Sequence, residues 1–211
     1  MKTIHLFFVL FAVFFLAPCP VFAEENNFRH VQLNYGISLD VPSHWTELSK
    51  ENRRNIAAAR QAMLDNADVE GPDGRKETLF AMNAEPSPAG ATIRVSVTSP
   101  PTYSQSDLAT ATPEDLKQFE AYFLESFRAL SDSGGPRILD TQTFRIESMR
   151  NHLALAMPYI RAGIDGGSPW QVVQYQVPTP DYLIEITLSH RQSDAIVWRP
   201  ILERVKRSVR F

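Results

Sequence analysis

The chain has 211 residues, 44% of them hydrophobic and 21% charged, with 21 Lys and Arg against 24 Asp and Glu. A formal net charge of −3 gives no electrostatic reason to bind nucleic acid, and a single cysteine excludes a disulfide framework. The length suits one domain with a core large enough to stand without covalent staples.

Residues 1–23 read as a secretory signal peptide. Lys2 gives a positive start, Ile4 to Leu16 form an apolar run, Pro18 and Pro20 break it, and Val21-Phe22-Ala23 supplies a small-residue cleavage pattern. The apolar run is shorter than the roughly 20 residues that span a bilayer, so no transmembrane anchor is expected after cleavage. Export to a periplasm is the expectation. Extracellular release is one alternative, and lipid attachment at Cys19 is another, although Pro18 occupies the position where a lipobox wants a small residue. Cleavage discards Cys19, and with it every thiol nucleophile and thiolate metal site. Residues 24–211 are then expected to form a single α+β domain.

In "YGISLDVPSHWTEL" (35–48), Tyr35, Ile37, Leu39 and Val41 alternate with polar residues or glycine as in a strand with one buried face. Pro42 ends it, and Trp45 is expected to cover apolar surface where the chain leaves the sheet. Ser49 is placed to cap a helix through about Asn66, with Ile56, Ala59 and Met63 as a weak apolar stripe among Arg53, Arg54 and Arg60. Residues 65–77 contain Gly71, Pro72 and Gly74 and read as a loop. Strands are expected at Thr78 to Asn83 and Thr92 to Thr98. The segment "SPPTYSQSDLATA" reads as irregular. The clearest helix follows: Thr112 at the cap, Pro113 at the first position, Asp115 three beyond the cap, and a stripe of Leu116, Phe119, Phe123, Phe127 and Leu130.

Four strands are expected next, at about Arg137 to Ile146, Asn151 to Ile160, Gln171 to Val177 and Tyr182 to Leu188, joined as a meander. A last helix after Ser193-Asp194 aligns Val197, Ile201, Val205 and Val209, with Pro200 placed in or near the first turn. Helices around a mostly antiparallel sheet of about six to seven strands make an α+β sandwich.

"YGISLDVPSHWTEL" and the terminal "YLIEITLSHRQSDAIVWRPILERVKRSVRF", with the order of elements between them, resemble the PsbP-like group. That group includes the DcrB-type bacterial envelope proteins and shares its α/β/α sandwich with the Ran-binding Mog protein. The resemblance implies a fold whose members mostly bind or assist other proteins. It transfers no functional residue.

The residues themselves offer little chemistry. His30, His44, His152 and His190 form no H-x-x-x-H or H-E-x-x-H pair. Asp65, Asp68, Glu70 and Asp73 miss the register of a calcium loop, because Pro72 and Asp73 stand where a ligand and a glycine are needed. No nucleophile elbow or phosphate loop occurs, and Gly166-Gly167-Ser168-Pro169 reads as a hairpin turn. No catalytic residue, metal ligand or cofactor is therefore expected.

The expected function is that of a non-catalytic exported accessory, adaptor or inhibitor that binds another envelope or secreted protein. The alternative is a small-ligand carrier or hydrolase with a pocket invisible in the sequence. Tyr103 and Trp170, aromatics outside any buried pattern, are the expected partner-binding residues. The cations of the C-terminal helix offer a weak membrane-surface contact as a further alternative.

Overall fold

The computed structural model describes residues 27–67, 75–85, 89–163 and 166–211. The expected signal peptide with Cys19, and Asp68, Glu70 and Asp73 of the acidic segment, lie outside the described residues.

The strands are β1 (Phe28–Gln32), β2 (Ser38–Pro42), β3 (Thr46–Glu47), β4 (Arg75–Asn83), β5 (Ala91–Ser99), β6 (Ile138–Thr141), β7 (Arg145–Met149), β8 (His152–Arg161), β9 (Trp170–Pro178) and β10 (Leu183–Arg191). The helices are α1 (Lys50–Asn66), α2 (Gln105–Thr110), α3 (Pro113–Asp132) and α4 (Ala195–Ser208). β1 and β2 form a separate antiparallel pair. The main sheet runs β3-β4-β5-β10-β9-β8-β6, with β7 also pairing β8, and is antiparallel throughout. The expected antiparallel α+β sandwich is the observed architecture.

Alternation along the strands gives this sheet two unlike faces. On one, Ile93, Val95, Ile184, Ile186 and Val177 meet Leu39 and Val41 of the β1–β2 pair and Leu202, Val205 and Val209 of the C-terminal segment, all buried. The chain's last residues lock this face to β2. The Ser38 N–H donates to the Arg210 carbonyl at 3.0 Å, and the Arg210 N–H donates back at 2.8 Å. Arg150, held at φ 60°, donates from its guanidinium to the carbonyls of Arg207 and Val209, which the end of α4 leaves without helical partners. The other face carries α1, α2 and α3. Trp45 is buried as expected, edge-on to Trp198 with ring centroids 5.6 Å apart.

Several expectations are corrected. Tyr35 is not a strand residue: it sits at φ 65° beside Gly36 at φ 76°, a left-handed pair in the turn from β1 to β2, and is 45% exposed. β1 itself was not anticipated. "SPPTYSQSDLATA" contains α2, capped by Ser104, whose hydroxyl accepts from the Asp107 N–H while the Asp107 carboxylate accepts from the Ser104 N–H. The strand expected at Arg137 to Ile146 is two, because the chain leaves the sheet after Thr141 and returns at Arg145, so β6 and β7 pair different stretches of β8. With β3 this makes eight strands. Ile56 and Met63 are exposed, and Leu64 is the buried residue of α1. Val197 is 51% exposed, and Pro200 lies inside α4.

Candidate functional site

α3 starts where its sequence dictates. The Thr112 hydroxyl accepts from the Asp115 N–H at 3.2 Å, the Asp115 carboxylate accepts from the Thr112 N–H at 2.8 Å, and Pro113 fills the first turn. The apolar stripe follows, yet no residue of α3 is fully buried. Phe119, Phe123 and Phe127 are half-buried, where near-complete burial would follow from a helix pressed onto an apolar surface. The reason lies beneath them. This face of the sheet presents Gln174 and Gln176 from β9, Glu185 from β10, Thr98 from β5 and Lys76 from β4. The rings pack to one side of this polar strip, on the buried clusters around Phe144, Leu155 and Met157 and around Tyr159 and Val172.

The result is a cleft of about 370 Å³ between α3 and the sheet, closed at one end by Arg60 and Leu64 of α1. Its roof is aromatic. Phe119 and Phe123 lie against Phe144, and Phe123 and Phe127 against Tyr159, with centroids 5.3 to 6.4 Å apart. Its floor is polar and internally paired. Lys76 makes an ion pair with Glu185, and the Tyr103 hydroxyl donates to Gln176 Oε1 at 2.7 Å. Gln105 fixes the neighbouring strand ends: its amide donates to the carbonyls of Leu153 and Pro178 and accepts from the Leu153 N–H.

Burial dominates the electrostatics of this face. It raises the Tyr103 phenol far above the ordinary value, with the nearby Glu185 charge adding to the effect. It pushes Tyr159 up to about 12, where the Arg161 charge opposes and Glu185 reinforces the shift. The protonated Tyr103 hydroxyl is the donor to Gln176. Arg94 and Arg161 are both shifted down, chiefly by burial and, for Arg94, by the charge of Arg161.

Neither expected partner-binding ring stands free. Trp170 is 8% exposed: it is the first residue of β9 rather than a hairpin tip, and the Arg161 guanidinium lies 4.9 Å from its ring centre. Tyr103 is partly buried against the cluster of Leu108, Phe144, Leu155 and Met157, with its hydroxyl donating to Gln176. Trp170 is therefore not the exposed loop aromatic expected, and Tyr103 is tied to Gln176, a residue of the cleft floor.

The histidines stay apart. His30 Nδ1 is 2.8 Å from Asp40, His152 lies edge-on to Phe211, and buried His190 contacts the Arg191 carbonyl. Among the described residues no three His, Cys, Asp or Glu side chains gather as a metal site. Nor is any described helix long and apolar enough to cross a membrane. Most cations of the C-terminal helix are engaged: Lys206 with Glu147 at 2.8 Å, Arg204 over the Phe28 ring at 4.0 Å, and Arg199 with Gln171 at 3.3 Å.

A second cleft, of about 520 Å³, lies between the first turns of α1, the β1–β2 turn and the first half of β4. Lys50, Arg53, Arg54, Arg75 and Lys76 line it against a single carboxylate, Glu77. The sequence concealed it because its cations come from two segments more than 20 residues apart.

Scans of the sequence against protein-family profiles and against curated proteins find no match. Solved structures do resemble it. The solution structure of cyanobacterial PsbP (CyanoP) from Synechocystis is 12% identical, with a TM-score of 0.52, and the match covers 87% of this chain and 92% of that one. LpqN, described as involved in cell envelope biogenesis of Mycobacterium tuberculosis, is 11% identical over 89% of this chain and 92% of its own, at a TM-score of 0.44. A Bacteroides thetaiotaomicron protein is 12% identical over 82% of this chain at a TM-score of 0.42; the match spans only 44% of that longer protein. The chain has the PsbP-like α/β sandwich fold, at an identity that transfers no activity and no residue role.

Proposed function

We propose that the protein is a non-catalytic, exported accessory protein whose binding element is the cleft under α3. One observation carries this reading: a capped helix holds an aromatic stripe only partly buried, beside a polar floor, with a cleft between them. A cleft with mostly apolar walls and a few fixed polar groups suits a ligand with an apolar body and a hydrogen-bonding edge. Gln174 and Gln176 would meet that edge. Concavity favours a small ligand, or one inserted side chain of a partner, over docking on flat loops. The non-catalytic reading is supported by how the polar groups are spent: Lys76 neutralises Glu185, and Tyr103 donates to Gln176. Export is supported by the leader-like residues 1–23.

The test is titration with the neutral apolar dye Nile red. Saturable binding is expected, and Ser126→Trp, which fills the cleft from α3, should weaken it about tenfold. Leu139→Trp, on the outer strand β6, should not. Equal binding by the protein and the Ser126→Trp variant would move the site elsewhere.

A further inference from the structure

The basic cleft at the start of α1 does not depend on the reading of the α3 cleft. Its charge is placed against local preference. Lys50, Arg53 and Arg54 outnumber the single acid Glu51 in the first turns of α1, where the helix dipole favours acids, while the last turn carries no cation and contains Asp65. Arg75 and Lys76 add two more positive charges from β4 in a chain whose net charge is −3. Like charges sharing one concavity repel, and a low-dielectric wall strengthens that repulsion.

Internal pairing relieves it only in part. Arg53 donates to the Leu48 carbonyl at 2.7 Å and lies 3.5 Å from Glu47, which leaves its Nε buried with no hydrogen-bond partner. Lys76 is neutralised by Glu185 on the far side. Lys50, Arg54 and Arg75 have no ion pair among the described residues. Glu77, the one acid in the lining, is 3.5 Å from the Tyr35 hydroxyl, which donates to it. The contrast with α4 is direct, since most cations there are spent on Glu147, Phe28 and Gln171.

From this we infer that the cleft binds a phosphate group. Guanidinium forks match phosphate oxygens in pairs, and the N-terminal end of α1 adds its own positive field. A concavity of about 520 Å³ suits a compact multivalent anion better than an extended acidic chain. The phosphate belongs either to a soluble phosphate ester or to a lipid headgroup, and both sources present the same chemistry to these residues.

The test uses the purified protein with two probes at low ionic strength: inorganic pyrophosphate by calorimetry, and vesicles of phosphatidylglycerol in phosphatidylcholine by co-sedimentation. Pyrophosphate should bind, and the affinity should fall steeply as salt rises to about 0.2 M. Arg54→Glu with Arg75→Glu should weaken it tenfold or more, while Arg128→Glu, on exposed α3 surface, should not. If the double variant fails to fold, Lys50→Glu alone should give a smaller loss of the same kind. Vesicle binding with the same variant dependence assigns the lipid headgroup, and pyrophosphate binding without it assigns the soluble ester. The inference is overturned if neither probe binds, if the cleft variants bind as tightly as the unaltered protein, or if a polyglutamate peptide binds more tightly than pyrophosphate.

Discussion

On the α4 side of the sheet, Ile184, Ile186 and Leu188 of β10 meet Leu202 and Val205, and the chain's last residues pair with β2. On the α3 side, the same strand presents Glu185, Thr187 and Ser189, and the helix above buries none of its residues fully. Both surfaces come from one alternation with opposite results. The apolar side lets a helix close down, and burial there supplies the stability that fixes the fold. The other side packs its helices on two smaller buried clusters and leaves a cleft over the polar strip between Lys76, Gln174, Gln176 and Glu185. The cleft proposed for recognition lies on the second surface, between α3 and the sheet.

The largest effect should come from the closed side. Phe80 is fully buried there, and Phe80→Ala should cost about 3 to 5 kcal/mol in urea unfolding. Phe123→Ala, across the sheet, should cost less, about 2 kcal/mol, since the ring is partly exposed and truncation widens an open cleft rather than sealing a cavity. Equal losses from the two changes would erase the distinction. Thr112→Ala should cost about 1 kcal/mol and act on α3 alone, visible as faster amide exchange in its first turns with β5 and β10 unaffected.

The smallest effect concerns pH. The Thr112 hydroxyl, and then its backbone N–H, hold the Asp115 carboxyl below the ordinary aspartate range. A group depressed in the folded state contributes fully above its unfolded value of about 3.9 and loses that contribution as pH falls through the folded value. Exchange protection at the start of α3 should therefore stay level from pH 7 to 5 and decline only below about pH 4. A decline already complete at pH 5 would mean that the cap is not formed.

The sequence revealed whatever is local. The Thr112–Asp115 box, the Ser49 cap and the strand alternation each depend on a few neighbouring residues, and all are as expected. Ser104 and Asp107 have the same spacing as Thr112 and Asp115, but Pro100 and Pro101 just before them hid the short α2. Tyr35 continued an apolar alternation that the backbone breaks at Gly36, a change of φ that leaves no mark on a hydrophobicity pattern. The aromatic stripe of α3 was legible, but its incomplete burial depends on Gln174, Gln176 and Glu185 from strands more than 40 residues away. Both clefts are products of tertiary assembly. Their lining residues read one by one as ordinary surface cations, strand glutamines and a helix stripe.

Native-state hydrogen exchange compares the two sides of the sheet in one experiment. Amides of β5, β10 and α4 should exchange only through global unfolding, while those of α3 should exchange through local detachment at a clearly lower free energy. Exchange of α3 at the global free energy would contradict an open, recognition-bearing face, and would mean that the helix is packed as tightly as α4.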